Sequence, residues 1–202
     1  IRRKGKTREM AEKLSVVMAQ RHIRLADVVL FVVDAAEGVS ALDANIGGYA
    51  HEAGRAVVVV VNKWDLAKDK DKRVFERDMR DKIKFLDYAP VRFISALEDK
   101  GIQQVFSSLY QGFQATRRRV PTSELNRFME TVDLDRATYP GARRPKIRYV
   151  TQASVAPPTF VFFITGHDKF HFSFERFLMN QLRAAFPFEG TPLVVKAKRK
   201  RR

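Results

Sequence analysis

The chain has 202 residues, of which 45% are hydrophobic and none is cysteine, and its formal net charge is +15. This length and composition can bury a hydrophobic core and exclude a disordered chain, while the lack of cysteine excludes disulfides and thiolate metal sites. No apolar run approaches the roughly 20 residues of a membrane helix, so we expect a protein that does not cross a membrane. The lack of cysteine fits a reducing compartment, and we expect a cytoplasmic protein.

Positive charge is concentrated at the two ends of the chain. Residues 1–24 contain 8 Lys and Arg against 2 Asp and Glu, residues 25–119 contain 15 against 14, and residues 120–202 contain 15 against 7. The net charges of these segments are +6, +1 and +8. Two basic ends around a balanced middle favour a polyanionic partner, and a solvated basic surface is the alternative interpretation.

Strand and helix patterns alternate in the first part of the chain. Near-continuous apolar runs are typical of parallel strands covered on both faces, and apolar residues at helical spacing lie between these runs. The alternation predicts an α/β domain over residues 1–119, with a parallel sheet and flanking helices. Its predicted elements are strand Asp27–Asp34, helix Leu42–Ala53, strand Val57–Val61, helix Lys72–Phe85, strand Val91–Ser95 and helix Ile102–Thr116.

A second, smaller unit is predicted over residues 120–202. Pro121 ends the preceding helix, and Thr122 or Ser123 can cap the next one. The pattern predicts a small α+β domain with three strands, and we expect the basic tail Lys196–Arg202 to project into solvent. Its predicted elements are helix Glu124–Asp133, strand Lys146–Ala153, a turn at Pro157 and Pro158, strand Thr159–Thr165, helix Ser173–Ala185 and strand Pro192–Ala197.

Polar residues follow two neighbouring strands at the points where these strands end. The sequence Asn62-Lys63-Trp64-Asp65 comes directly after the valine strand, and Ser95-Ala96-Leu97 ends the next strand. Ligands of open α/β sheets bind at the carboxyl ends of the strands. A carboxylate accepts two adjacent donors, so Asp65 can pair with N1–H and the N2 amino group of guanine and reject adenine.

Other residues of these loops can complete a guanine site. Asn62 can bridge to the neighbouring loop and to guanine N7, the stem of Lys63 can lie over the base plane, and the N–H of Ala96 can donate to O6. In the alternative interpretation the motif is a simple turn, in which Asp65 only caps the following helix. The predicted nucleotide-binding residues are Asn62, Lys63, Asp65, Ser95, Ala96 and Leu97.

The two loops resemble the fourth and fifth motifs of the translation-factor-related GTPases, and the second unit narrows the resemblance. The segments PPTFVFF, RFLMNQLR and FEGTP are similar to the C-terminal KH-like domain of the Der (EngA) family, bacterial GTPases with two tandem G domains and one KH-like domain. The resemblance covers essentially the whole chain. It assigns residues 1–119 to the later part of the second G domain and residues 120–202 to the KH-like domain with its basic tail.

The resemblance implies a monomeric GTPase that acts in maturation of the large (50S) ribosomal subunit and contacts ribosomal RNA. It also implies GTP or GDP with Mg²⁺, and K⁺ near the phosphates. The chain has no GxxxxGK[ST] phosphate loop, and in the family register it begins just after the DxxG motif, with Ile1 at the place of the water-orienting glutamine of Ras-like GTPases. We therefore expect these residues alone to be inactive, with no catalytic or metal-binding residue among them. The switch II candidates are Arg2, Arg3, Lys4 and Lys6.

Two alternative functions remain open beside this interpretation. One is a non-enzymatic RNA-binding module, and the other is an Era-like GTPase with a KH domain. The ten glycines include no pair three residues apart, so the chain lacks the GXXG loop of RNA-clamping KH domains, which weakens the second alternative. The seven phenylalanines from Phe160 to Phe177 are expected to form a core rather than to stack on bases. The four histidines lack metal-ligand spacing.

Overall fold

The computed structural model of the chain describes residues 16–67, 69–137, 145–166 and 169–199. Residues 16–25 are helical and form α1. None of the helices in these ranges is long and apolar enough to cross a membrane. The remaining helices and strands, in chain order, are β1 (Val28–Asp34), α2 (Ala41–Glu52), β2 (Ala56–Asn62), α3 (Lys72–Lys82), β3 (Val91–Phe93), α4 (Ile102–Arg117), α5 (Thr122–Thr131), β4 (Lys146–Val155), β5 (Pro158–Thr165), α6 (Phe172–Ala185) and β6 (Val194–Arg199).

The first sheet is parallel and has the strand order β1-β2-β3. β1 runs in register with β2 until Asp34 lies opposite Asn62, so both strands end at the same level. The valines Val57–Val61 of β2 are at most 1% exposed. Alternate valines pack with residues of α2 and α3 in one core cluster and with residues of α4 in another. The predicted α/β fold, with a parallel sheet and flanking helices, is confirmed.

β1 is covered on only one of its two faces. Phe31 and Val33 are buried in the cluster that includes α2 and α3, whereas Leu30 and Val32 are 42% and 51% exposed. The prediction that this strand is covered on both faces is therefore wrong. The physical reason is the position of α4, which packs against β2 and against Ile94, the residue after β3. The only residue of β1 in this core cluster is Val28.

Local backbone geometry explains where the helices of this sheet begin and end. The Ser40 hydroxyl accepts the N–H of Asp43, and the Asp43 carboxylate accepts the N–H of Ser40, so a capping box starts α2. α3 ends at Lys82 because Ile83 has φ −124° and ψ 46°, outside the helical region. The predicted helix Lys72–Phe85 is therefore too long at its carboxyl end, where a short 3-10 turn replaces it.

The described chain divides into two compact units. The first unit ends at Phe113 and the second begins at Gln114, so the division falls inside α4. The sequence-based domain boundary between residues 119 and 120 lies just beyond the end of this helix at Arg117. That boundary stays a prediction, because a continuous helix crosses the division.

The second unit contains the sheet β4-β5-β6, in which β4 is antiparallel and β6 is parallel to the central strand β5. Burial alternates strictly along β5, as expected for a strand with one face on a core. Phe160, Phe162 and Ile164 of β5 are fully buried and share a core cluster with Leu178 and Leu182 of α6. The predicted α+β unit with three strands is confirmed.

The phenylalanines of this unit divide between the core and the surface. Four of them are at most 7% exposed, as predicted: Phe160, Phe162, Phe170 and Phe174. Phe163 lies on the opposite face of β5, because it follows Phe162 directly and successive side chains of a strand alternate between faces. Phe172 is 73% exposed, so its assignment to the core is wrong.

Side chains from outside the sheet occupy the outer edge of β4. The amide of Asn126 in α5 accepts the N–H of Val150 at 2.9 Å and donates to the Val150 carbonyl at 3.0 Å. The amide of Gln152, which is 3% exposed, accepts the N–H of Val120 and donates to the carbonyl of Arg118. These bonds replace a fourth strand, so this part of the β4 edge cannot pair with another chain.

Two expectations about the ends of elements in this unit are wrong. Neither Thr122 nor Ser123 caps α5, because the helix already includes both residues and Pro121 occupies the cap position without a side-chain hydrogen bond. The tail does not leave the fold at Lys196. β6 continues to Arg199 and pairs with β5, since the ladder uses backbone groups and strand alternation places Lys196 and Lys198 on the face opposite Val195.

Candidate functional site

The two polar loops lie at the carboxyl ends of β2 and β3 and are joined by backbone hydrogen bonds. β2 ends at Asn62 and continues into a 3-10 turn, Trp64–Leu66. β3 ends at Phe93, two residues earlier than predicted, and the Trp64 N–H donates to the carbonyl of Ile94 at 3.0 Å. The parallel strands thus bring both loops to one edge of the sheet, as the sequence predicted.

Asn62 links the two loops through one side-chain oxygen. Its Oδ1 accepts the backbone N–H of Lys63 at 2.8 Å and the backbone N–H of Ala96 at 3.0 Å. The predicted bridge from Asn62 to the neighbouring loop is present in the structure. The Ala96 N–H is directed at Asn62 here, so its bond to guanine O6 stays a prediction that requires this contact to be exchanged or shared.

Lys63 extends the link to the end of β1. It has a left-handed backbone with φ 61°, and its Nζ lies 2.6 Å from Asp34 Oδ2. Asp34 Oδ1 also accepts the N–H of Ala36 at 2.7 Å. The hydrogen bond from Lys63 is the main reason that the pKa of Asp34 is lowered, and the same bond raises the pKa of Lys63. Sequence reasoning missed Asp34, although its place at the end of β1 was a usable signal.

Asp65 carries an unusual side-chain oxygen. Its Oδ1 is buried and accepts no hydrogen bond from any residue that the structure describes. The charge of Asp65 also acts on Lys100. The pKa of Lys100 is raised mainly by its hydrogen bond to Glu98, and attraction to the Asp65 carboxylate raises it further. A buried acceptor without a donor is costly, so this oxygen is suited to a ligand that brings a donor.

Ser95, Ala96 and Leu97 form a short loop with distinct environments. Ser95 is 3% exposed, its hydroxyl accepts the N–H of Glu98 at 3.2 Å, and its backbone exchanges two hydrogen bonds with Lys100. Leu97 is 90% exposed. Ser95 therefore holds the loop closed, while Leu97 stands at its tip.

Gly101 follows the same loop and has a left-handed backbone conformation that residues with a side chain rarely adopt. Its φ is +78°, and a Cβ added there would lie 2.8 Å from the carbonyl oxygen of Phe93. The loop can therefore approach the end of β3 this closely only because residue 101 has no side chain.

All six predicted residues thus lie on two loops at one edge of the sheet, and their contacts with a nucleotide stay a prediction. The switch II candidates Arg2, Arg3, Lys4 and Lys6 lie outside the described residues, as does Ile1. A cleft of about 550 Å³ lies elsewhere, between Gly38 and α3, and none of the six residues lines it.

Models of two protein families match consecutive parts of the chain. The model described as the elongation factor Tu GTP binding domain matches residues 16–115. The model described as the KH-domain-like region of EngA bacterial GTPase enzymes, C-terminal, matches residues 119–198.

Curated relatives align with nearly the whole of this chain. The chain is 44% identical over 203 aligned positions to GTPase Der of Halalkalibacterium halodurans, covering 99% of this chain and 46% of that protein. It is 43% identical to GTPase Der of Macrococcus caseolyticus, with 99% and 47% covered, and 43% identical to GTPase Der of Listeria monocytogenes serotype 4a, with 100% and 47% covered. The chain thus spans about half the length of these relatives.

Proposed function

The chain belongs to the Der (EngA) family of bacterial GTPases, and on that premise we propose that its loops after β2 and β3 bind the guanine base of GTP or GDP. The observation that carries this proposal is the buried Oδ1 of Asp65, which has no hydrogen-bond partner among the described residues. Guanine presents N1–H and the N2 amino group side by side, and a carboxylate accepts both. Adenine presents an acceptor at N1 and would leave the carboxylate unpaired.

The neighbouring residues are proposed to orient the base around Asp65. Asn62 reaches N7 from the position in which it already joins the two loops, and the stem of Lys63 lies along the base plane. The Ala96 N–H turns to O6 of the base. Ser95 and Leu97 shape the loop that supplies this donor.

We propose that the intact protein hydrolyses GTP and that these residues contribute base recognition alone. These 202 residues contain no GxxxxGK[ST] loop, and phosphoryl transfer is catalysed mainly by positioning and by charge at the phosphates. Among the described residues, no group of three His, Asp or Glu side chains is placed to hold a metal ion. These residues are therefore not proposed to hold Mg²⁺ or K⁺, which would bind beside the phosphates.

For the second unit we propose contact with ribosomal RNA during assembly of the large (50S) ribosomal subunit, in the cytoplasm. The net charge of +8 over residues 120–202 supports a polyanionic partner. The match to the KH-like domain of EngA supports the same class of partner. The alternative, a non-enzymatic RNA-binding module, is favoured for this chain by itself because it has no phosphate loop.

The guanine site is tested with Asp65→Asn in the complete protein. The substitution replaces one acceptor with a donor that opposes a donor of guanine. We expect the affinity for GTP to fall by about 30- to 1,000-fold, since a lost charge-assisted pair and an unpaired buried donor cost roughly 2–4 kcal/mol. Xanthine carries an oxygen where guanine has its N2 amino group, so the variant should prefer xanthosine triphosphate.

Competition titrations of parent and variant with GTP, ATP and xanthosine triphosphate measure both effects. Asp69→Asn, a change of the same kind four residues further along the chain, serves as the matched control and should leave the base preference unchanged. If the Asp65 variant keeps the parent's order of preference, the motif is only a turn and the proposed site is wrong.

A further inference from the structure

Three side chains form a row across the outer face of the β4-β5-β6 sheet. Tyr149 of β4 lies opposite Phe163 of β5, which in turn lies opposite Lys198 of β6. The two rings are stacked, with centroids 4.2 Å apart and planes 11° from parallel. The Nζ of Lys198 lies 5.7 Å from the centroid of the Phe163 ring. We call Tyr149, Phe163, Lys196 and Lys198 the platform.

The platform lies on the sheet face that the core does not use. Phe162 and Ile164, the neighbours of Phe163, are fully buried, whereas Phe163 itself is partly exposed. Tyr149 is 36% exposed. The partly exposed rings provide an apolar surface that a planar partner can cover.

Charge on these strands has one sign. On the face of Phe163, Lys146 lies opposite Thr165, Lys196 opposite Val161 and Lys198 opposite Phe163. None of the three strands contains an aspartate or glutamate. A positively charged surface of this kind favours a polyanionic ligand over an uncharged, apolar peptide.

A small cleft extends the row beyond Tyr149. It has a volume of about 180 Å³, lies between α5 and the start of β4, and is lined by Tyr149 together with Asn126, Glu130 and Arg148. Tyr149 therefore borders both Phe163 and this cleft. In this cleft the Glu130 carboxylate can accept a hydrogen bond from the exocyclic amino group of a base, whereas the Asn126 amide is bonded to Val150.

We propose that the platform binds single-stranded RNA, with a base stacked on Tyr149 at the cleft and phosphates contacting Lys196 and Lys198. Aromatic rings bind single strands by stacking on bases, and lysines follow the backbone. The chain has no GXXG loop for the usual backbone clamp, so recognition is assigned to the sheet face instead. This inference rests on the proposed RNA contact of the second unit and is independent of the guanine site at Asp65.

The test uses the full chain and two fluorescein-labelled probes, an octa-adenylate and a blunt RNA duplex. We expect Tyr149→Ala to weaken octa-adenylate binding roughly 5- to 150-fold, the range for loss of one stacked base, and to leave duplex binding nearly unchanged. Tyr149→Phe should bind like the parent, because it keeps the ring. Lys198→Ala should reduce the slope of log K against log salt for octa-adenylate by about 0.7 for each phosphate contact that it removes.

Two further variants keep the result interpretable. Tyr149→Leu retains an apolar contact with Phe163 without a planar ring, and it should lose octa-adenylate affinity even if Tyr149→Ala perturbs the sheet. Tyr110→Ala removes another exposed tyrosine, 66% exposed on α4, and should have no effect.

Three outcomes would overturn the inference. The first is equal affinity of the parent, Tyr149→Ala and Tyr149→Leu for octa-adenylate. The second is an equal loss for octa-adenylate and duplex, which would indicate charge without stacking. The third is that the Tyr149 variants sediment differently from the parent in the absence of RNA but bind RNA with the same affinity. That result would show that the platform is a protein–protein interface. In each case GTP binding through Asp65 would be unaffected, so the two proposals fail separately.

Discussion

Asn62 Oδ1 accepts the backbone N–H of Ala96 at 3.0 Å and so joins two loops that are 34 residues apart in the chain. The same oxygen accepts the N–H of Lys63 at 2.8 Å. One side-chain atom therefore holds both segments of the proposed guanine site at a fixed separation. Residue 62 thus has a structural task that is separable from any contact with a nucleotide.

Substitutions at Asn62 should separate these two tasks. Asn62→Ala removes the acceptor of two N–H groups and should lower the free energy of unfolding by about 1–2 kcal/mol, the sum of two modest hydrogen bonds. Asn62→Asp keeps the acceptor oxygen and should lower it less. Urea unfolding, monitored through the chain's one tryptophan, Trp64, measures both variants. Equal destabilisation by Ala and Asp would contradict the role given to Oδ1.

The Asp34–Lys63 ion pair should make a pH-dependent contribution to stability. The folded-state pKa of Asp34 is lowered, so its contribution is present above the ordinary value of 3.8 and is lost as pH falls through the folded value. Lys63 has a raised pKa, so its contribution is present below 10.5 and is lost as pH rises through the folded value.

Asp34→Asn isolates the charge of this pair, because the amide oxygen can still accept the Ala36 N–H. We expect the variant to have a lower urea midpoint than the parent at pH 7 and the difference to shrink below pH 3.8. The difference should be small, because Lys63 is largely exposed and salt screens the pair. A difference that is unchanged at pH 2.5 would show that charge is not responsible.

Gly101→Ala should destabilise the first unit. The substitution places a Cβ 2.8 Å from the Phe93 carbonyl oxygen at a residue with φ +78°, so the loop after β3 must shift. We expect a loss of about 1–3 kcal/mol in the free energy of unfolding, the usual cost of such backbone strain. Gly48→Ala is the matched control. Gly48 lies inside α2, and apart from its own helix backbone and chain neighbours nothing that the structure describes lies within 4 Å of the added methyl. Alanine there should stabilise the helix by about 0.5–1 kcal/mol. The opposite order of the two variants would refute this account.

Binding of structured RNA should weaken steeply with salt, because the contacts with phosphates release counterions. Deleting residues 200–202 removes three basic side chains beyond β6 without shortening that strand. We expect the deletion to reduce the slope of log K against log salt between about 50 and 200 mM, with little change in sequence preference. A deletion from Lys198 onward would be a poor experiment, since it also removes residues paired with β5. Affinity that is flat over this salt range would contradict the polyanionic partner.

The sequence was sufficient to predict the sheet edge on which the two loops meet. The run Val57–Val61 is buried on both faces in the central strand β2, and the polar residues that follow it lie at the carboxyl edge of the sheet. The exposure of Leu30 and Val32 could not be predicted in the same way. Whether both faces of β1 are covered depends on which helix packs there, and an apolar run carries no information about that.

In the second unit, by contrast, the outward position of Phe163 could have been predicted from the sequence. Alternation along PTFVFFIT was readable from the sequence and places Phe163 on the face away from Phe162 and Ile164. Composition alone had suggested one core for all seven phenylalanines. The burial of Asp65 Oδ1, with no partner among the residues that the structure describes, depends by contrast on the path of a 3-10 turn and cannot be predicted from the sequence.

The side-chain amide of Asn126 holds both backbone groups of Val150, and this has a consequence for the rate at which one proton leaves the protein. The Val150 N–H points away from the sheet, so separation of β4 from β5 is not needed to expose it. It is released when α5 moves away and Asn126 with it. The rate of hydrogen–deuterium exchange at the Val150 amide therefore reports how often α5 separates from β4. The amides of the central strand β5 exchange only when the sheet itself opens. A single site in an edge strand thus reports the local stability of a helix that lies beside it.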